Sequence, residues 1–154
     1  MTITEYLTDT RPTDEQLTVF ERLIGGVFPD DYRRFLKSEN GGRPEPESFR
    51  FKFRDGREED SSVHYFYALR EGQIGNLEGT SKIFRGRIPP DYLAIATDPF
   101  GNKILLRIAT RNPGKIHFWD HEKEEDEDMP TLRNMSLIAN SFTEFVEGLE
   151  AEPL

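Results

Sequence analysis

The strongest constraint on the fold is a change of hydrophobic period along the chain, helical at both ends and alternating in the middle. Leu17, Phe20 and Ile24 recur at i, i+3 and i+7 behind Thr13-Asp14-Glu15-Gln16. That tetrad is a capping box, in which the Thr13 hydroxyl serves the amide three residues on while Gln16 reaches back. The spacing predicts a helix over about 14–24, ended by Gly25-Gly26. A second helix follows: Pro29 suits its first position, Asp30 and Asp31 face the positive end of its dipole, and Tyr32, Phe35 and Leu36 give the apolar stripe. Asn40-Gly41-Gly42 supplies the stop.

From there the period falls to two. Phe49, Phe51 and Phe53 alternate with Arg50, Lys52 and Arg54, a half-buried strand whose other face is basic. Asp55-Gly56 signals a turn, and Val63 to Leu69 reads as a strand covered on both faces. Three glycines (Gly72, Gly75, Gly79) weaken the helical pattern of Ile74, Leu77 and Ile83. Tyr92–Ala96, Ile104–Ile108 and Lys115–Trp119 form an antiparallel meander, separated by the turn-rich stretches 98–102 and 111–114. A last helix starts at Ser141, whose capping partner is Glu144, with Phe142, Phe145, Val146 and Leu149 on one face. Two helices, a run of strands and one helix predict an α+β fold, a mostly antiparallel mixed sheet flanked by N-terminal and C-terminal helices. Residues 1–12 read as a flexible arm and 13–150 as one domain, in keeping with 154 residues.

Composition narrows the partners. The chain has 29 acidic and 20 basic residues, a net charge of -9 at pH 7, which repels nucleic-acid backbones and anionic lipid surfaces and favours basic proteins. It has no Cys, which removes disulfides, thiol nucleophiles and Cys-based metal sites. The first ten residues have neither a basic region nor an apolar run, and no stretch approaches the roughly 18 apolar residues of a membrane span. A cytoplasmic location is therefore expected.

Four segments resemble a known family. They are Phe28-Pro29-Asp30-Asp31-Tyr32-Arg33-Arg34-Phe35-Leu36 running into Asn40-Gly41-Gly42, then Ile88-Pro89-Pro90-Asp91-Tyr92-Leu93-Ala94-Ile95-Ala96, then Asp98-Pro99-Phe100-Gly101-Asn102, then Gly114-Lys115-Ile116-His117-Phe118-Trp119. In order and spacing, from about 13 to 150, the chain is similar to the SUKH superfamily, the Smi/Knr-type domains of cell-wall-synthesis regulators and their bacterial relatives. The resemblance implies a mostly antiparallel sheet with flanking helices and no catalytic activity. It also implies protein binding, either as an immunity protein that neutralises a toxin or as a regulatory or scaffold module with an endogenous partner.

Other chemistry is thinly supported. His117 and His121 are four apart, a metal-ligand spacing on a helix; here they fall on a strand and its exit, about 13 Å apart along the chain. His64 sits in another strand. There is no Gly-x-Ser-x-Gly elbow and no Walker lysine, so no cofactor, metal or catalytic residue is expected. In the segment Asp120–Asp128, seven of nine residues are acidic. It reads equally as a solvated loop and as a surface that steers a basic partner such as a nuclease toxin. Calcium is a third reading, but the run departs from the EF-hand pattern and lacks its Gly. The candidate partner-binding residues are Asp98, Phe100, Asn102, Trp119, Asp120, His121, Glu124, Glu125, Asp126, Glu127 and Asp128, with Trp119 singled out because Trp is enriched in interface hot spots. The basic stripe of Arg50, Lys52 and Arg54 reads as an exposed face beside carboxylates.

Overall fold

A computed structural model of the chain describes residues 1–53, 55–71, 75–123 and 134–152. Its elements run β1 (Thr2–Glu5), α1 (Asp14–Ile24), α2 (Asp30–Ser38), β2 (Arg43–Glu45), β3 (Ser48–Lys52), β4 (Glu58–Ser62), β5 (Tyr65–Phe66), α3 (Leu77–Ile83), β6 (Tyr92–Thr97), β7 (Lys103–Arg107), β8 (Ile116–Trp119), a 3₁₀ turn (His121–Lys123), β9 (Met135–Ala139) and α4 (Phe142–Glu147). The fold is α+β.

Five strands form the central antiparallel sheet in the order β5-β6-β7-β8-β9. Its ladder extends beyond β5, since the amide of His64 donates to the Thr97 carbonyl and that of Tyr67 to the Ile95 carbonyl, both at 2.8 Å. β3 and β4 form a separate antiparallel hairpin. β7 is buried throughout except Arg107, as expected of a central strand with both faces covered. On one face lie α2, α4 and β3. Phe35, Phe66 and Phe142 meet there with ring centroids 5.0–5.8 Å apart, and the Phe51 ring stacks on Phe118 at 4.3 Å. On the other face α3 and the residues after it cover Tyr67, Lys103 and Trp119.

The capping box of α1 forms in full and that of α4 only in its first half. Thr13 Oγ1 accepts from the Gln16 amide while the Thr13 amide donates to Gln16 Oε1, and Ser141 Oγ accepts from the Glu144 amide. The Glu144 carboxylate answers through the Asn140 amide rather than that of Ser141. α2 takes a further anchor, as Asp31 Oδ2 accepts from the amide and hydroxyl of Thr143.

The N-terminal segment departs from the expected loose arm. Thr2–Glu5 pairs antiparallel with β2, and Ile3 is buried. Gly42 admits it: a Cβ there would lie 2.5 Å from the Glu5 carbonyl oxygen and 2.6 Å from Ile3 Cγ2. The following residues are tied down by buried Asn40, whose Nδ2 donates to the Thr10 and Leu69 carbonyls while its Oδ1 accepts from the Leu69 amide. The basic stripe of β3 faces β4, where Arg50 lies 3.6 Å from Asp60 and Lys52 lies 3.6 Å from Glu58. Arg54 lies outside the described residues.

Candidate protein-binding surface

An antiparallel meander puts alternate connections at the same end of the sheet. The turn 98–102 joins β6 to β7, and the segment after Trp119 joins β8 to β9, so both emerge together. Asp98 builds the turn. Its Oδ1 accepts from the amides of Phe100 (2.9 Å) and Asn102 (2.8 Å), and its Oδ2 accepts from Asn102 Nδ2 (2.9 Å) and Ser61 Oγ (3.0 Å). A short acidic side chain reading the amides two and four residues ahead is how an Asx turn holds a loop without regular structure.

The network continues into the next connection. Asn102 Oδ1 accepts from the His121 amide (3.2 Å) and from His121 Nδ1 (2.6 Å). The His121 ring lies over Gly101, at φ +89°, with Cε1 3.6 Å from where a Cβ would sit. Asp120 Oδ1 accepts from the Glu122 amide, and Asp120 and Asn134 exchange backbone and side-chain hydrogen bonds that close the base of the acidic segment. Lys123 lies 3.7 Å above the centre of the Phe53 ring, which ties the end of the β3–β4 hairpin to the same place.

Phe100 is what this scaffold displays. It is 76% exposed, the most exposed large apolar side chain among the described residues. A fixed turn holding a ring in water suits apolar contact with another surface.

Two of the expected contact residues change role. Trp119 is wholly buried, its ring meeting Phe84 edge-on at 5.6 Å with the Arg87 guanidinium 5.8 Å above it. It pairs with Lys103 in the sheet interior, so it offers a partner no surface. Asp98 is 3% exposed, and its carboxylate is consumed by the turn. Asp98, Asn102, Asp120 and His121 are thus brought together to position Phe100 and the base of the acidic segment. Glu124, Glu125, Asp126, Glu127 and Asp128 lie outside the described residues.

His117 and His121 do not converge on one site. His117 sits on β8 with Tyr92 edge-on at 5.1 Å, and burial pushes its imidazole down to about 4. No group of three His, Cys, Asp or Glu placed to hold a metal occurs among the described residues. Two participants had no signal in the sequence. Ser61 bonds Asp98 from a strand without apolar residues, and Lys103 is buried with its ammonium near Thr97 Oγ1 (3.2 Å) and the Phe84 ring (5.2 Å). Burial holds the Lys103 amine below its ordinary value.

Among the described residues no helix is long and apolar enough to cross a membrane. The chain is 32% identical over 156 residues to the SPbeta prophage-derived uncharacterized protein YokK of Bacillus subtilis (strain 168), covering 92% of this chain and 77% of that protein. The profile of the SMI1 / KNR4 family (SUKH-1) matches residues 11–148. With nearly its whole length inside that profile, and with the α+β fold its motifs predict, the chain belongs to the SMI1 / KNR4 family (SUKH-1).

Proposed function

We propose that the chain is a non-enzymatic binding protein that neutralises a toxin carrying a basic surface, by sitting on that surface and blocking substrate access. The observation that carries this reading is Phe100, 76% exposed on a turn held by Asp98, beside the point where β8 runs into the acidic segment. An apolar anchor next to concentrated negative charge suits a basic partner: the ring supplies contact energy, and the charge raises association rate and selectivity. Membership of a family that includes immunity proteins supports the same reading, as does the net charge of -9. Asn102, Asp120 and His121 position the surface in this reading, and the negative charge of Glu124–Asp128, next in the sequence, would steer the partner.

The test starts from capture. Tagged protein, incubated with lysate of its host at low and high salt, should retain one basic protein in near-equal amount. Phe100→Ala should then weaken that complex by about 2 kcal/mol, roughly thirtyfold, while leaving thermal stability unchanged. Charge reversal across Glu124–Asp128 should slow association most at low salt. A captured protein that Phe100→Ala binds equally well would remove the turn from the interface. Several endogenous proteins, all indifferent to both changes, would favour a regulatory module instead.

A further inference from the structure

The turn between α3 and β6 borders a cavity that the fold leaves unfilled. Phe84 builds that turn: its carbonyl accepts from the amides of Arg87 (2.9 Å) and Ile88 (3.0 Å), and Gly86 supplies the left-handed φ of +85° at the bend. Pro89 and Pro90 then stiffen the approach to β6. The cavity beside it measures about 290 Å³, at the lower end of the roughly 300–1,000 Å³ of ordinary ligand clefts. Buried Ile88, Ala94 and Ile108 line it together with partly buried Ile24 and Phe84, and Leu23, 54% exposed, stands at its edge. A rigid turn over apolar walls is a preformed site, which spares a ligand the cost of ordering it.

The charge of the wall is one-signed. Lys82 and Arg85 are the charged side chains that line the cavity among the described residues, and both are cations in a chain whose net charge is -9. The neighbouring carboxylates stand outside the wall, each against a cation: Glu78 lies 3.1 Å from Lys82 and Asp91 lies 3.7 Å from Arg107. Lys82 is thereby answered, and Arg85 is not. Arg85 is exposed and makes no ion pair, hydrogen bond or ring contact through its side chain among the described residues. Arg87, two residues on, instead lays its guanidinium over the Phe84 ring at 4.6 Å.

We propose that this cavity binds a small organic acid, its apolar body against Ile24, Phe84 and Ile108 and its carboxylate on the Arg85 guanidinium. A guanidinium matches the planar geometry of a carboxylate and holds it through two parallel hydrogen bonds. Apolar walls keep water from part of that pair, which strengthens the attraction. An amine with the same body would meet two cations instead. The volume restricts the body to a single ring or a short branched chain. The site is separate from the Phe100 turn, since it lies at the Tyr92 end of β6 and that turn follows Thr97 at the other end.

The full chain, isotope-labelled, is titrated at about 150 mM salt with phenylacetate, and separately with phenethyl alcohol and phenethylamine, which carry the same ring with no charge and with the opposite charge. Amide and methyl chemical shifts locate the contact. Phenylacetate should give saturable changes centred on residues 23–24, 80–94 and 108, with a Kd of about 1 mM or tighter. The alcohol should bind about tenfold more weakly, and the amine should give no saturable change. In Arg85→Gln the affinity for phenylacetate should fall about tenfold, to that of the alcohol, while the alcohol binds as before; the unchanged alcohol shows that the cavity survives the substitution. Arg34→Gln removes an exposed cation from α2 and should leave phenylacetate binding within about twofold. Absence of saturable binding by phenylacetate, shifts centred elsewhere, equal binding of the amine, or equal losses in Arg34→Gln and Arg85→Gln would each overturn the proposal. None of these outcomes bears on Phe100.

Discussion

Buried polar atoms without partners mark where single residues trade stability for something else. Tyr32 Oη, His117 Nδ1 and Trp119 Nε1 are each shut off from solvent with no hydrogen-bond partner among the described residues, and such orphans cost roughly 1–3 kcal/mol. His117 is the one that turns this into pH dependence. Burial, with Lys115 and Arg107 nearby, pushes its imidazole down to about 4, whereas an unfolded histidine takes up its proton near 6.5. The folded state therefore resists protonation that the unfolded state accepts. The stability due to neutral His117 is complete above pH 6.5 and drains away as pH falls towards 4. Asp14 is held below its usual value of 3.8 by the Lys37 ammonium, and Asp55 by the Arg57 amide. Their contributions are lost only below 3.8 and leave the histidine window clear. Allowing for partial exposure, the wild type should lose about 1–2 kcal/mol more than His117→Phe between pH 7.5 and 4.5. Urea denaturation at the two pH values measures this; parallel losses in both proteins would remove His117 as the cause.

Elements were legible in proportion to how much local chemistry specified them. α1 and α4 announced themselves through capping boxes and i, i+3 spacing, and β6 to β8 through apolar runs between turn residues. β4 has the sequence Glu-Glu-Asp-Ser-Ser, with no strand signal of its own; it exists because β3 pairs with it and lays Arg50 and Lys52 against its carboxylates. β9 follows the acidic run and was masked by it, and β1 depends on a glycine far along the chain. The same logic divided the binding surface. Sequence brought 98–102 and 119–121 forward as candidates, but burial is a tertiary property, so it could not separate Trp119, which packs inward, from Phe100, which does not. The Asp98 turn is the element where this can be tested. Asp98→Ala removes four accepted hydrogen bonds, two of them from backbone amides, and should cost roughly 2–3 kcal/mol. Thermal denaturation reads that loss, while Asp98→Asn, which keeps an acceptor, should lose less. Unchanged stability in Asp98→Ala would mean that the turn is held by something else.

At the scale of the whole molecule, aromatic packing joins what the sequence separates. Phe142 of α4 lies 5.2 Å from Tyr32, 5.0 Å from Phe35 and 5.8 Å from Phe66. One ring thus bridges an N-terminal helix, the edge of the sheet and the C-terminal helix. With only 35% hydrophobic residues, 12 of them Phe, the core relies on a few large rings in mutual contact. Truncating one of them should therefore be felt everywhere. Phe142→Ala is expected to cost roughly 3–5 kcal/mol, a large share of the usual total of about 5–15 kcal/mol. The form of unfolding is the sharper prediction. Trp119, the only Trp, is buried on the face of the sheet opposite Phe142, so its fluorescence reports that distant face while far-UV dichroism reports the helices. If residues 13–150 unfold as one unit, the two signals should change at the same urea concentration in the wild type, and shift together in Phe142→Ala. A helical transition that precedes the loss of the Trp119 signal would show that α2 and α4 melt from a sheet able to stand without them, and the aromatic bridge would then be a local contact.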